Sequence, residues 1–327
     1  MFVILTASTY AFILTLSSLI FCKQFGLYSL TLSLKWVADL RRKIVPNIDL
    51  SALETLSVSI ENHIAHIQLC RPEALNSMVP AFWRELPAVV RQIDAESQAR
   101  VIVISSQGKH FSAGMDLSVF TNMAKDFQGE PARRAERTRR LVLELQDSFN
   151  ALEEIRIPVL AAVQGGVIGG AVDMICAADS RYCTQDAYFT IKETELGMTA
   201  DVGTLQRLPH LIPQGLIREL AYTGRNMPSS EAKECGFVNQ VFEDQKAMLK
   251  GVMKIAEKIA MHSPMAVAGC KEMINYGRDH NVSDSLTYMA TWQSGMFQMP
   301  DVQEAMAAGK TQRLPVYAEL HKKSSGM

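Results

Sequence analysis

Short alternating runs over 57–61 and 63–69, separated by a turn at Asn62, predict a strand pair that opens a domain near residue 54. From Pro80 to Gln98 the apolar residues Phe82, Leu86, Val89, Val90 and Ile93 recur at helical spacing. The β-branched run Val101, Ile102, Val103, Ile104 that follows predicts a buried strand. Helix followed by strand is the rhythm of an α/β protein. It repeats with a helix over 133–155, a strand over 159–163, a glycine-rich turn, a helix over 170–178 and a strand over 181–184. Three amphipathic stretches, 246–261, 264–279 and 284–297, make the C-terminal third helical. The chain therefore divides into an apolar N-terminal extension and linker (1–53), an α/β core (54–245) and a C-terminal helical region (246–327). No internal repeat or low-complexity tract breaks this order.

At 327 residues, 48% hydrophobic and 20% charged, the composition is that of a globular protein with one large core, not of a disordered or fibrous chain. A formal charge of −1 offers no broad positive surface for nucleic acid, so an anionic partner has to be held by a local site. The six cysteines (Cys22, Cys70, Cys176, Cys183, Cys235, Cys270) are scattered, with no CxxC and no Cys/His cluster. Neither a metal site nor a disulfide framework is expected, and the body suits a reduced, intracellular setting.

Residues 2–22 carry no charged side chain, and about 20 apolar residues are enough to cross a bilayer as a helix. Lys23, Lys35, Arg41, Arg42 and Lys43 all follow the stretch, and none precedes it as in a secretory signal. Three readings stay open. A membrane anchor would leave the body in the cytoplasm by the positive-inside rule; an organelle-targeting leader would deliver it to the mitochondrial matrix; an upstream extension from a misplaced start would have no role. The absence of acids before Asp39 suits a leader, and the absence of arginine before Arg41 does not. The ending Ser-Ser-Gly-Met does not match the peroxisomal Ser-Lys-Leu.

Two loops carry candidate chemistry. Lys109-His110-Phe111-Ser112-Ala113-Gly114-Met115-Asp116-Leu117 follows a strand, where open α/β sheets place ligand loops, and its small residues let backbone N–H groups approach a ligand. Gly165-Gly166-Val167-Ile168-Gly169-Gly170-Ala171-Val172-Asp173 also follows a strand and opens a helix, whose free N–H groups stabilise negative charge. It is not a dinucleotide fingerprint, and it has no phosphate-loop lysine. Three carboxylates follow, Asp173, Glu193 and Asp201, each beside apolar sequence where burial would raise its pKa and suit it to proton transfer. Each also has a structural reading: Asp173 compensating a helix dipole, Glu193 pairing with Lys192 or Arg181, Asp201 capping a helix. His63 and His66 read as surface strand residues, and His110 and His210 as lone loop histidines.

Taken together, the loop Phe111 to Leu117, the run Val159-Leu-Ala-Ala-Val-Gln-Gly-Gly-Val-Ile-Gly-Gly-Ala-Val-Asp173 and the segment Ala178-Asp179-Ser-Arg-Tyr182 resemble the crotonase (enoyl-CoA hydratase/isomerase) superfamily. Leu69-Cys-Arg-Pro-Glu-Ala-Leu-Asn76 is similar to that family's first nucleotide-contacting segment. The resemblance covers residues 54–315. It implies an α/β fold of the ClpP/crotonase type, with repeated ββα units and a C-terminal helical trimerisation region, assembled as a homotrimer or a hexamer of two trimers. It implies an acyl-CoA substrate whose thioester oxygen is held by the backbone N–H groups of Met115 and Gly170, with Ala74, Ala113, Gly114, Asp116 and Leu117 among the substrate-binding residues. It also implies no metal or separate cofactor, and a place in fatty acid β-oxidation.

Hydratases of the family carry glutamates at the positions of Asp173 and Glu193. Here the first is shortened to aspartate and a third acid, Asp201, is present, which is similar to the family's Δ3,5-Δ2,4-dienoyl-CoA isomerases. That resemblance implies Glu193 as the base at carbon 2, Asp201 as the acid at carbon 6 and Asp173 tuning the pair. Ala171 departs from the family pattern, where a third glycine is common. The alternatives are an enoyl-CoA hydratase adding water to a trans-2-enoyl-CoA, and a binding protein on the same scaffold without catalysis.

Overall fold

The computed structural model describes residues 48–119, 129–297 and 299–323. Strands β1 (Leu56–Glu61) and β2 (Ile64–Leu69) form the expected antiparallel pair. Asn62 and His63 between them both have positive φ, 50° and 64°, as a tight turn matched to strand twist requires. β3 (Val101–Ser106), β4 (Val159–Val163), β6 (Ser180–Thr184) and β9 (Gln240–Phe242) then add in parallel, completing a six-stranded sheet in the order β1-β2-β3-β4-β6-β9. A second, three-stranded sheet joins β5 (Gly166–Ile168), β7 (Tyr188–Thr190) and β8 (Met227–Pro228). β5 lies inside the stretch that the sequence reads as a glycine-rich turn. Three residues are too few to show a period, and what makes them a strand is the pairing of Val167 with Phe189.

Helices cover both faces of the larger sheet, so its central strands are apolar on both sides. α1 (Pro80–Ala95) and α2 (Pro131–Glu154) pack on one face, where Phe82, Leu86, Phe149 and Leu152 join Ile67, Ile102, Ile104 and Val163 in the main core. Each such burial contributes roughly 2 kcal/mol before chain entropy is counted. Pro87 sits inside α1 and has no N–H to offer the carbonyl of Trp83. The hydroxyl of Ser148 on α2 donates to that carbonyl instead, at 2.9 Å, so the proline defect becomes a helix–helix contact.

On the other face, α7 (Gln245–Ala260) lays Met248, Val252, Ala256 and Ala260 against Val101, Val103, Leu160 and Tyr182. Between these layers come α3 (Gly170–Cys176), α4 (Thr204–Arg207), α5 (Gln214–Thr223) and α6 (Ser229–Glu234). The chain ends in α8 (Pro264–Asp279), α9 (Val282–Met296) and α10 (Met299–Thr311). The described residues all belong to one compact unit, so the described parts of 54–245 and 246–323 are continuous in packing. Among the described residues no helix is long and apolar enough to cross a membrane. The apolar stretch 2–22 lies outside the described residues.

Candidate active site

The loop after β3 and the loop after β4 are bonded to each other in parallel register. Phe111 N–H donates to Gln164 O at 2.8 Å, Ser112 N–H to Gly166 O at 3.2 Å and Ile168 N–H to Ser112 O at 3.1 Å. His110, to which the sequence assigns no chemistry, accepts from Gly166 N–H at Nδ1 (2.9 Å) and so helps hold the two loops together. Gly114 (φ 80°) is pressed so closely against the second loop that a Cβ there would lie 2.5 Å from Ile168 O, which is why only glycine fits. From the other side the first loop is clamped by Met78, whose N–H donates to Gly114 O (2.8 Å) and whose carbonyl accepts from Asp116 N–H (3.2 Å).

This clamping brings Met115 N–H close to Gly170 N–H, the first donor of α3. A Cβ on Gly170 would stand 3.9 Å from Met115 N, with Met78 Sδ and Trp83 alongside at 3.2 and 3.9 Å. Neither N–H donates to any acceptor among the described residues, whereas the flanking Gly114, Asp116 and Gly169 N–H groups all do. Two fixed donors aimed at one point are what a developing oxyanion requires.

The three carboxylates converge beside these donors. Asp173 is fully buried on α3; its Oδ1 accepts from Thr204 N–H at 2.6 Å and its Oδ2 has no partner. Burial pushes its pKa up to about 6; the Thr204 hydrogen bonds and Arg207 pull it down, and the charge of Asp201 pushes it up. Glu193 opens the 3₁₀ turn Glu193–Leu196, with a buried, unpartnered Oε2 and with Oε1 3.1 Å from where a Cβ on Gly169 would stand. Burial, then the charge of Asp173, raise its pKa to about 7, and Asp201 adds to the rise. Asp201 lies exposed at the rim, where partial desolvation raises its pKa. Asp173 therefore senses the charge of Asp201, and Glu193 senses both, so their titrations are linked.

The structural alternatives for these acids are also visible. Glu193 pairs with neither basic neighbour: Lys192 pairs with Glu195, and Arg181 donates to the carbonyls of Phe237, Ile175 and Ala178. Asp173 does cap a helix, but the cap it supplies is for α4, not for its own helix. His66 is a correction, because it is half-buried and bonded to Ser105 Oγ at 2.8 Å, and burial lowers its pKa. The inward face of β2 there is covered by its neighbours, which a strand pattern alone does not reveal.

Among the expected binding residues, Ala74 ends the turn Pro72–Ala74, and Leu75 O beside it accepts from Ala113 N–H at 3.0 Å, so the two segments meet. The Asp116 carboxylate is occupied by Ser77 and Ser118, and Leu117 is 70% exposed. Met78, Trp83 and Gln146 border the site without a period or motif that marks them, and Arg207, which belongs to the same sequence segment as Asp201, is given no role by the sequence. A cavity of about 530 Å³ between α2, α8 and α9 and one of about 560 Å³ among α8, α9 and α10 are lined by none of the three acids. Among the described residues no group of three or more His, Cys, Asp or Glu side chains is placed to hold a metal ion.

Backbone donors for an oxyanion beside carboxylates with raised pKa values define the class: an enzyme that stabilises negative charge while moving protons. The chain belongs to the enoyl-CoA hydratase/isomerase family, whose profile matches residues 59–319. It is 44% identical over 257 residues to the mitochondrial Δ(3,5)-Δ(2,4)-dienoyl-CoA isomerase of Mus musculus, covering 78% of this chain and 79% of that one. It is 38% identical to the peroxisomal Δ(3,5)-Δ(2,4)-dienoyl-CoA isomerase of Arabidopsis thaliana, over 82% of this chain and 97% of the relative. The fold is similar to that of the enoyl-CoA hydratase from Bacillus anthracis, with a TM-score of 0.72 and 31% identity, covering 83% of this chain and all of that one.

Proposed function

We propose that this enzyme converts a 3,5-dienoyl-CoA to the 2,4-dienoyl-CoA. The observation that carries the reading is the pair of N–H groups, Met115 and Gly170, left without acceptors among the described residues beside Asp173 and Glu193, whose pKa values are raised by burial and by neighbouring acid charge. With the thioester oxygen on those donors, the ionised Glu193 removes a proton from carbon 2. The electron pair of that C–H bond moves into the conjugated chain as an enolate, and the oxyanion charge falls on Met115 and Gly170 N–H. Protonated Asp201 then delivers its proton to carbon 6, leaving double bonds at carbons 2 and 4. Glu193 ends protonated and Asp201 ionised, so the pair holds one proton before and after, and no separate cofactor enters. Asp173, buried on α3, raises the pKa of Glu193 by its charge.

Hydration needs two carboxylates gripping one water, and Asp173 has one oxygen committed to Thr204. Purified protein offered a 3,5-dienoyl-CoA and, separately, a trans-2-enoyl-CoA tests the reading: diene transposition with weak hydration is expected, and strong hydration with no transposition overturns it.

The relatives named mitochondrial and peroxisomal favour an organelle leader over a membrane anchor for residues 2–22. The apolar side chains Val282, Leu286 and Met289 on α9, a helix with no buried residue, suit contact with further copies of the chain in a trimer or hexamer. Light scattering of the native enzyme checks this, and a monomeric mass would overturn it.

A further inference from the structure

The loop that carries Asp201 is held in place by one stripe of α2. Gln146, Asn150 and Glu153 recur at i, i+4 and i+7, which puts them on one face of that helix. Gln146 Nε2 donates to Asp201 O at 2.6 Å. Asn150 Oδ1 and Glu153 Oε2 accept from Arg207 Nη2 at 2.6 and 2.7 Å, and Glu153 Oε1 also accepts from Arg278 of α8 at 2.6 Å. Gly203, two residues after Asp201, has φ 132° and lies directly against the Arg207 guanidinium, where a Cβ would overlap Nη1. Gly203 O accepts from Arg207 N–H at 3.0 Å, and Thr204 N–H is held by Asp173. The segment 201–204 is therefore held at three of its four residues: Asp201 by the Gln146 side chain, Gly203 by the packed guanidinium and the backbone N–H of Arg207, and Thr204 by Asp173.

We infer that Arg207 and Gln146, aligned by the polar stripe of α2, are positioning residues that set where the Asp201 carboxyl stands, and so control delivery of the proton to the far end of the diene. The inference rests on the isomerase reading above. Neither residue bonds to Glu193 or to the Met115 and Gly170 donors, so the step at carbon 2 feels them only through the charge of Arg207 on Asp173. The split follows from geometry: Glu193 is carried by a different segment, after β7, and is held without either residue.

The titratable and charged groups that face Arg207 are Glu153 from α2, Asp173 from α3, His210 from the turn after α4, and Arg278 and Asp279 from α8 across the same cleft. Asp201 itself is reached through Gln146 and the backbone.

The test uses the full-length enzyme with Arg207→Met, Arg207→Lys and Gln146→Met, each first checked for a cooperative melt. Two rates are read in deuterated water: appearance of the 2,4-diene, and exchange of deuterium into carbon 2 of recovered substrate. Transposition is expected to fall about 10²-fold in Arg207→Met and about 10-fold in Gln146→Met, the scale of a misplacement near 1 Å. Exchange at carbon 2 and KM should stay within about 3-fold of wild type on that view, and Arg207→Lys should recover part of the transposition. Equal loss of exchange and transposition, or an unchanged transposition rate, overturns the inference. If Arg207→Met does not fold, Gln146→Met carries the same two readouts. Wild-type protein that never transposes the diene refutes the isomerase reading itself, a result distinct from either of these.

Discussion

Asp173 Oδ1 accepts a hydrogen bond from Thr204 N–H at 2.6 Å, so a fully buried acid on one side of the site anchors the loop that brings Asp201 to the other. The second oxygen of Asp173 is buried without a partner, and burial lifts the pKa from 3.8 to about 6. The site thus keeps an ionisable group where it opposes folding once charged.

Asp173→Asn keeps the acceptor for Thr204 and removes the charge. A carboxyl whose pKa is raised in the folded state favours folding while protonated. Its contribution is complete below about 4 and is lost as the pH rises through about 6. The variant should therefore melt above wild type at pH 8, by on the order of 2 kcal/mol, and converge with it near pH 4. Calorimetry at the two pH values checks this, and a variant less stable at pH 8 would contradict it.

Glu193→Gln should lower kcat for diene transposition by about 10²–10⁴ with little change in KM, read from the absorbance of the conjugated product. In wild type, the base must be ionised and its pKa is raised to about 7, so kcat should decline as the pH falls below about 7. A profile flat down to pH 5 would remove Glu193 from the role of base.

Gly114→Ala places a Cβ 2.5 Å from Ile168 O at a φ of 80°. The two loops must separate, carrying Met115 N–H away from Gly170 N–H. Loss of one oxyanion donor costs about 10²–10³ in kcat, and the backbone strain about 1–3 kcal/mol of stability. Steady-state kinetics with urea denaturation measure both, and wild-type kcat would exclude this pair as the oxyanion hole.

Lys271 of α8 is buried, with Nζ donating to Leu152 O at 2.7 Å, Ile157 O at 3.0 Å and Asp179 Oδ2 at 3.0 Å. Lys271→Met takes the lysine donor from the Leu152 and Ile157 carbonyls and the counter-charge from Asp179, whose Oδ2 keeps only Val159 N–H, and about 3–5 kcal/mol of stability should disappear. Activity per folded molecule at low temperature should be unchanged, because the lysine is remote from the acids. Denaturation midpoints paired with activity at 10 °C separate the two effects.

Much of the layout is legible along the chain because side-chain period is a local property. Strands β1 to β4 and helices α1, α2, α7 and α8 fall where apolar spacing puts them, and the resemblance of two loops and three acids identifies the family. The residues that complete the site leave no such trace. β5 is too short to show a period; Gln146 and Arg207 look like ordinary solvated polar residues; His66 has an outward-looking pattern and a covered environment.

The sequence by itself determined the longer strands and helices, the family and Asp173, Glu193 and Asp201 as candidate acids, since composition, spacing and motif are properties of neighbouring residues. Only the tertiary structure decided that Met115 and Gly170 N–H groups lie close together without acceptors among the described residues, that the charges of Asp173 and Asp201 act on Glu193, and that Gln146 reaches Asp201 across 55 positions. Desolvation, charge coupling and hydrogen-bond satisfaction depend on what the fold brings within a few ångströms, and the chain alone does not record that distance.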